Sequence, residues 1–318
     1  MKKKIKYLYL IVIIATIIYM CYDLNLNNSN VLLYSLEKRI IKVVVILIVA
    51  FCIGISSLIF QSIINNNIIT PCLLGMNSLY TLIHTIFVFF LGSTSVILTN
   101  NNIIFVIDIL IMIIVSLFIY GYIFKKTKYN IIYILLIGTL LTSFFTSVQN
   151  SLVRIMDPNE YDSLLTQIIP SFNNINTNVI ILSVIIIIMV ILNLKKEIEV
   201  LDVISLGKNV AINLGIDYNY TIKKLLICVV ILIAIATALV GPISFIGLIV
   251  ANLSRGYLKT YKHKYLIITS FLFGVIVLII SQIIVERIFN YSLPINVFIS
   301  IGGGFYFLYL LIKEKKVI

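Results

Sequence analysis

The stretch GPISFIGLIVANLSRGY, Gly241 to Tyr257, decides how the chain is read. A long apolar run reaches Val240 and meets Gly-Pro. Apolar sequence then resumes for only about ten residues before Asn252, Ser254 and Arg255, where a helix needs roughly 20 to cross a bilayer. Broken apolar backbone at membrane depth is tolerated only against protein or a water-filled cavity. The segment is therefore expected to be short and turned away from lipid.

The rest of the chain supplies the membrane. Of 318 residues, 61% are hydrophobic and 11% charged, against about a quarter charged in soluble domains. The charges cluster between apolar runs, several long enough to span. Ten-residue alternating strands are absent, so a β-barrel is excluded and an all-α polytopic membrane protein is expected. Ten transmembrane helices are assigned, over 5–22, 41–60, 74–98, 103–124, 131–153, 177–194, 223–240, 243–256, 265–285 and 295–312. They form a single permease domain, 1–318. MKKKIKYLYLIVIIATIIYMCYD could pass for a signal peptide, but it lacks an A-x-A site and is taken as a retained first helix.

With the N-terminus in the cytoplasm and strict alternation, all but Lys38, Arg39, Lys42, Arg154 and Arg287 of the 24 basic residues fall inside. This bias places both termini in the cytoplasm of a multi-pass protein in the bacterial cell membrane. It requires the short segment to cross, and it explains the net charge of +12 without a nucleic-acid partner. The four cysteines are scattered, which argues against disulfide or metal use.

Three polar stretches remain. QSIINNNIITPCLLG (Gln61–Gly75) is uncharged and cytoplasmic, and Val153–Asn178 is an acidic external loop. Lys195–Lys224 reads as two short helices ended by Gly207 and Gly215, with Val203, Leu206, Val210 and Leu214 in one apolar stripe. That hairpin either lies in the membrane interface or docks a soluble partner.

No G-x-x-x-x-G-K-[ST], H-E-x-x-H or G-x-S-x-G occurs, so neither ATP binding through a P-loop nor catalysis is expected in this chain. His263 reads as solvated in a basic loop, and His84 as an interhelical hydrogen-bonding group. Asp108 is either a carboxylate reaching for the interface or a transport residue. Arg154 is expected to pair with Asp157 or Glu160. So few intramembrane charges point to energy from another subunit, the alternative being an ion-coupled carrier or channel.

The chain resembles the FecCD-type iron-chelate importer permeases, which include the vitamin B12 permease. In QSIINNNIITPCLLG, Gln61, Asn66, Pro71 and Gly75 match the family pattern. In ISLGKNVAINLG the matches are Leu206, Gly207, Ala211, Leu214 and Gly215. GPISFIGLIVANLSR matches except that Ala251 and Asn252 replace Pro-His. LPINVFISIGGGFYFLYLL is similar to the family's ending, with Asn296 and Gly304 departing from it. NNNIITPCLLGMNSLYTLIHT and the external loop resemble permeases for catecholate siderophores of the petrobactin and anguibactin group.

This resemblance implies a vitamin B12 permease-like fold, alternating access for a ferric siderophore, and no cofactor in this chain. ATP and Mg would act on a partner ATPase. The implied partners are a second permease subunit, two ATPase subunits and an extracellular substrate-binding lipoprotein. Val203, Leu206, Gly207, Val210, Ala211, Leu214 and Gly215 would couple to the ATPase. Gly241, Pro242, Phe245 and Gly247 would border the pathway. Lys38, Arg39 and Arg287 would dock the binding protein, although interfacial anchoring would also explain both arginines. Asn77, Ser78, Thr142, Thr146, Asn296 and Ser300 are the candidate pathway lining. No residue is expected to ligate metal, because the siderophore fills the iron's coordination sphere.

Overall fold

The computed structural model describes residues 1–22, 29–126, 131–173 and 175–314, and the regular structure among them is helical. Lys128, Lys315 and Lys316, used above for orientation, lie outside the described residues. The first half contains α1 (Lys2–Cys21), α2 (Ser29–Ile64), α3 (Met76–Leu91), α4 (Val96–Thr99), α5 (Asn101–Lys126) and α6 (Ile131–Ile155). A short helix α7 (Pro158–Ile168) precedes α8 (Thr177–Leu194). The hairpin α9 (Glu197–Ile204) and α10 (Lys208–Asn213) leads to α11 (Tyr218–Val240). The chain then forms α12 (Ile246–Leu258), α13 (His263–Arg287) and α14 (Ile295–Glu314).

Among the described residues, seven helices, rather than the ten assigned from sequence, are long and apolar enough to cross a membrane. The difference has three local causes. The segment expected over 74–98 is cut by Gly92, which leaves the 16-residue α3. The segment after Gly-Pro is the 13-residue α12. The last segment has an apolar part of only Ile295–Leu310. In the other direction, α2 is 36 residues long and extends the span expected over 41–60 at both ends.

Helices α2 and α11 are the most enclosed and pack on each other, with α13 against the other side of α2. Lipid tails are as apolar as leucine, so such contacts rely on close packing and hydrogen bonds. Both occur where α13 crosses α2. Gly274 lies against the backbone of Ala50, and Ser270 Oγ donates to Gly54 O at 3.0 Å. By contrast, α1, α6 and α8 expose most of their apolar surface.

His84 makes the interhelical hydrogen bond expected of it. Its partner is Asp108, whose Oδ2 is 2.9 Å from His84 Nε2. Asp108 is 2% exposed and does not reach the interface. The imidazole of His84 on α3 engages Oδ2, while Oδ1 is buried with no hydrogen-bond partner among the described residues. Asp108→Leu strands the buried Nε2 of His84, whose Nδ1 keeps Gln167, and is expected to cost about 1–3 kcal/mol. Replacing both residues with leucine should recover most of the loss in melting temperature, measured in detergent.

Candidate functional sites

The α9–α10 hairpin has two faces. Leu201, Ile204 and Ala211 are buried, and α9 packs on α2, α8, α11 and α13. Gly207 at φ 107° and Gly215 at φ 81° turn the chain where a side chain would be strained. Leu206 and Leu214 are each 63% exposed, and Val210 and Ile212 are exposed beside them. The stripe expected from sequence is therefore split. Val203 packs on the core, and Ala211, between the outward residues, is wholly buried. Ile212 joins the outward patch instead, because the turn at Gly207 rotates α10 relative to α9.

Polar contacts hold the base of this hairpin. His263 is 1% exposed, so it is not the solvated residue expected of a basic loop. Asp202 Oδ1 on α9 accepts from the His263 backbone N–H at 2.8 Å and lies 2.6 Å from His263 Nδ1. His263 Nε2 is 2.7 Å from Ser62 Oγ on α2, and Ser62 Oγ accepts from Arg255 Nη2 on α12 at 3.0 Å. The tertiary structure buries His263 because it is the first residue of α13, facing inward, while its neighbours Lys262 and Lys264 point out.

The Gln61–Gly75 motif lies alongside. Asn66 Oδ1 accepts from the backbone N–H groups of Ile68 and Ile69, which closes the loop after α2. Gln61 Nε2 and Asn252 Nδ2 both donate to Asn67 O, at 2.8 and 2.7 Å. Asn252 thus ties α12 to this loop. Pro71 begins the short 3-10 turn that ends at Gly75, φ 93°. Gly75 lies against Thr142 of α6.

The break before α12 is built from three features. Gly241 adopts φ 93°, and its N–H still caps α11 by donating to Thr237 O. Pro242 cannot continue the helix. Phe245 sits in the left-handed region at φ 62°, a costly conformation for an aromatic residue. Two close approaches hold it there: Gly247 packs on Ser57 of α2, and Gly303 of α14 packs on Phe245. The glycine run in α14 therefore serves helix contact at Gly303.

Of the candidate lining, Asn77 Nδ2 donates to Ser244 Oγ at 3.2 Å, which joins α3 to the bend before α12. Asn77 Oδ1 and Asn296 Oδ1 are buried and have no hydrogen-bond partner among the described residues. Ser78 and Ser300 are half-buried. Thr142 donates to Gly138 O and Thr146 to Thr142 O, so both hydroxyls satisfy α6 itself. Asn296 and Ser300 stand on α14, which packs on α12 and α13. Sequence reasoning missed Ser244, and also Thr139, Ser143 and Asn150, which with the expected Thr146 form a polar line along the exposed side of α6. Their helical spacing was a legible signal.

A cavity of about 300 Å³ opens between α3, α5, α7, α8 and α11. His84, Asp108, Gln167, Asn176 and Gly241 line it. Gln167 of α7 lies 3.2 Å from His84 Nδ1, and Glu160 accepts from Ser93 N–H at 2.6 Å, so α7 is fastened at one end to α3 and at the other to the turn that follows it.

At that same end, Arg39 Nη1 donates to Met20 O and Tyr22 O at 2.8 and 2.7 Å. Arg287 donates to Tyr22 O at 3.2 Å and lies over the Tyr22 ring. Both arginines thus cap the end of α1. Lys38 is exposed beside Tyr34, and Lys42 pairs with Glu286 at 2.7 Å. The pairing expected for Arg154 is not among the ion pairs of the described residues. Asp157 instead caps α7 by accepting from Asn159 N–H, and Glu160 is taken by Ser93.

No group of three or more His, Cys, Asp or Glu that could hold a metal ion occurs among the described residues. Residues 6–313 match the FecCD transport family. The petrobactin import system permease protein YclO of Bacillus subtilis is 44% identical over 283 residues, covering 89% of this chain and 90% of that protein. The petrobactin import system permease protein FatC of Bacillus anthracis is 32% identical over 312 residues, covering 96% and 88%. A solved inward-facing structure of a metal-chelate type ABC transporter superposes with a TM-score of 0.80 at 20% identity, covering 98% of this chain and 99% of that one.

Proposed function

The chain belongs to the FecCD transport family, as the permease subunit of an ABC-type iron–siderophore importer, and from that premise we propose how it works and what it carries. It is a non-catalytic, membrane-embedded subunit. The cargo is a ferric siderophore of the petrobactin type, a reading supported by the two petrobactin permeases that align over most of their length.

Ten crossings, with both termini cytoplasmic, remain the reading that satisfies the charge distribution. Helices α3, α12 and α14 would cross within the shelter of other helices, because each is too short or too broken to face lipid alone. The outward patch of Leu206, Val210, Ile212 and Leu214 is the docking surface for an ATPase subunit that binds ATP and Mg. This exposed apolar patch at the end of the bundle is the observation that carries the mechanism. Closure of two ATPase subunits on ATP would shift the hairpins and switch the path between outward-open and inward-open states.

The path would run along the polar line of α6, the Asn77–Ser244 contact and α14, where a second permease chain completes the wall. A hydroxyl-bearing face is a poor surface for lipid and a suitable one for a bulky polar chelate. The basic edge of Lys38, Arg39 and Arg287 would receive the acidic surface of a substrate-binding lipoprotein. Since both arginines also cap α1, their main contribution there would be to hold that edge rigid. Exposed charge pairs mostly govern orientation and on-rate.

The test is reconstitution in liposomes with radiolabelled ferric petrobactin. The permease pair alone is expected to take up none, and uptake should require the ATPase, ATP and the binding protein together. Uptake driven by a proton or sodium gradient without the ATPase would establish a secondary carrier instead.

A further inference from the structure

The hairpin and the short helix are the two parts of this chain that transport must connect, and a buried line of hydrogen bonds runs between them. Asp202 lies on α9, His263 begins α13, Ser62 lies near the end of α2, and Arg255 lies on α12. The successive separations are 2.6 Å from Asp202 Oδ1 to His263 Nδ1, 2.7 Å from His263 Nε2 to Ser62 Oγ, and 3.0 Å from Arg255 Nη2 to Ser62 Oγ. His263 and Ser62 are buried, and Asp202 is half-buried at the rim.

We propose that the Asp202–His263–Ser62–Arg255 line is the joint that carries hairpin displacement to α12. This rests on the hairpin being the ATPase-docking surface. The physical argument concerns direction. Helix α9 also packs on neighbouring helices through Leu201 and Ile204, but packed apolar helices still admit small shear movements, and those contacts alone do not pass a turn on to one particular residue. A hydrogen bond in a low-dielectric interior fixes both distance and angle, and breaking it strands a buried polar group. Asp202 is held twice, by the ring and by the backbone N–H of the same residue, so α9 cannot move without turning the start of α13. Ser62 is held twice more, because its hydroxyl also donates to Leu58 O at 2.9 Å. That anchor makes α2 the fulcrum, and Arg255 the arm that passes the movement to α12.

The other end of α12 is where movement would matter. Phe245 is held in the left-handed region between Gly303 and the bend, and Ser244 bonds Asn77. Turning α12 from its Arg255 end therefore loads the strained end beside the pathway. Ser-His-Asp spacing of this kind also suits nucleophilic catalysis. Here Ser62 Oγ already serves Leu58, Arg255 and His263 and is buried, so the arrangement positions helices and does not react.

The experiment uses the complete importer with a hydrolysis-deficient ATPase, so that ATP holds the closed state. The readout is the rate at which a small maleimide labels Ser244→Cys, above the background of the parent chain. In the otherwise intact chain, ATP is expected to change that rate by about fivefold or more. In Ser62→Ala and in Asp202→Ala the change should fall below about 1.5-fold, with the ATPase still co-purifying. Asp202→Asn keeps the accepting oxygen and should restore most of the response, which a loss of general stability would not do. A full response in Ser62→Ala or in Asp202→Ala overturns the joint, as does no response in the intact chain or no rescue by Asp202→Asn. Failure of the docking reading would appear elsewhere, as ATPase retention by chains with a charged hairpin patch.

Discussion

Leu206→Asp and Leu214→Asp are each expected to abolish ATP-driven uptake while leaving the permease folded and inserted. Both side chains are 63% exposed in the isolated chain, so the substitutions disturb little internal packing. Melting in detergent should shift little, as for other surface substitutions away from special features. In the assembled importer the same residues would be buried against the ATPase. Burying a leucine contributes about 1.5–3 kcal/mol, and that contribution is lost on substitution. An aspartate buried in its place adds a desolvation cost of several kcal/mol. At about 1.4 kcal/mol per decade, even a loss of roughly 3 kcal/mol weakens association about a hundredfold. The check is co-purification of the ATPase, together with its stimulation by the binding protein. Normal coupling in both variants would remove the hairpin from the mechanism.

Gly247→Ala is expected to impair transport from the opposite side, within the fold. A methyl group at this position falls within contact distance of Ser57 Oγ and close to Ser57 Cβ, inside any allowed separation. Ser57 belongs to α2, the most enclosed helix, so α12 must give way. Overpacking of this kind costs about 1–3 kcal/mol. Because α12 is also fixed through Phe245, the shift should reach the pathway and lower uptake more than it lowers stability. Ser57→Gly removes the obstructing side chain, and the double variant should recover both the melting temperature and uptake. If Gly247→Ala transports normally, the close approach of α12 to α2 has no bearing on function.

Much of the fold was legible in one dimension because lipid imposes a one-dimensional rule. A helix that crosses must be apolar for its whole length, so α5, α8 and α13 appear in the sequence within a few residues of their true ends. The break at Gly241-Pro242 was equally plain, since proline removes a donor wherever it stands. Chain caps are local as well, and Gly207 and Gly215 announced the hairpin's turns.

The readings that failed depended on neighbours distant in sequence. His263 sits between two lysines and looked solvated. It is buried because α2 and α9, some 200 and 60 residues away, bring Ser62 and Asp202 to it. Asp108, read as either an interfacial carboxylate or a transport residue, does not reach the interface and is paired with His84 of the neighbouring α3. For Arg39 and Arg287 the sequence left docking and interfacial anchoring open, and the structure adds that both converge on one carbonyl, that of Tyr22. The stripe on the hairpin was a correct periodicity with the wrong membership, because only the docked hairpin shows which apolar side chains it uses for itself.

The sequence alone thus determined that this chain is an all-helical membrane permease and where its backbone breaks. Those properties follow from the solvent each residue meets and from torsions set by the residue itself. The tertiary structure decided which polar groups face one another, which leucines remain outside, and what the short helix leans on. Those depend on crossings between helices hundreds of residues apart, whose geometry is fixed only when small side chains such as Gly247 and Gly303 let the backbones meet.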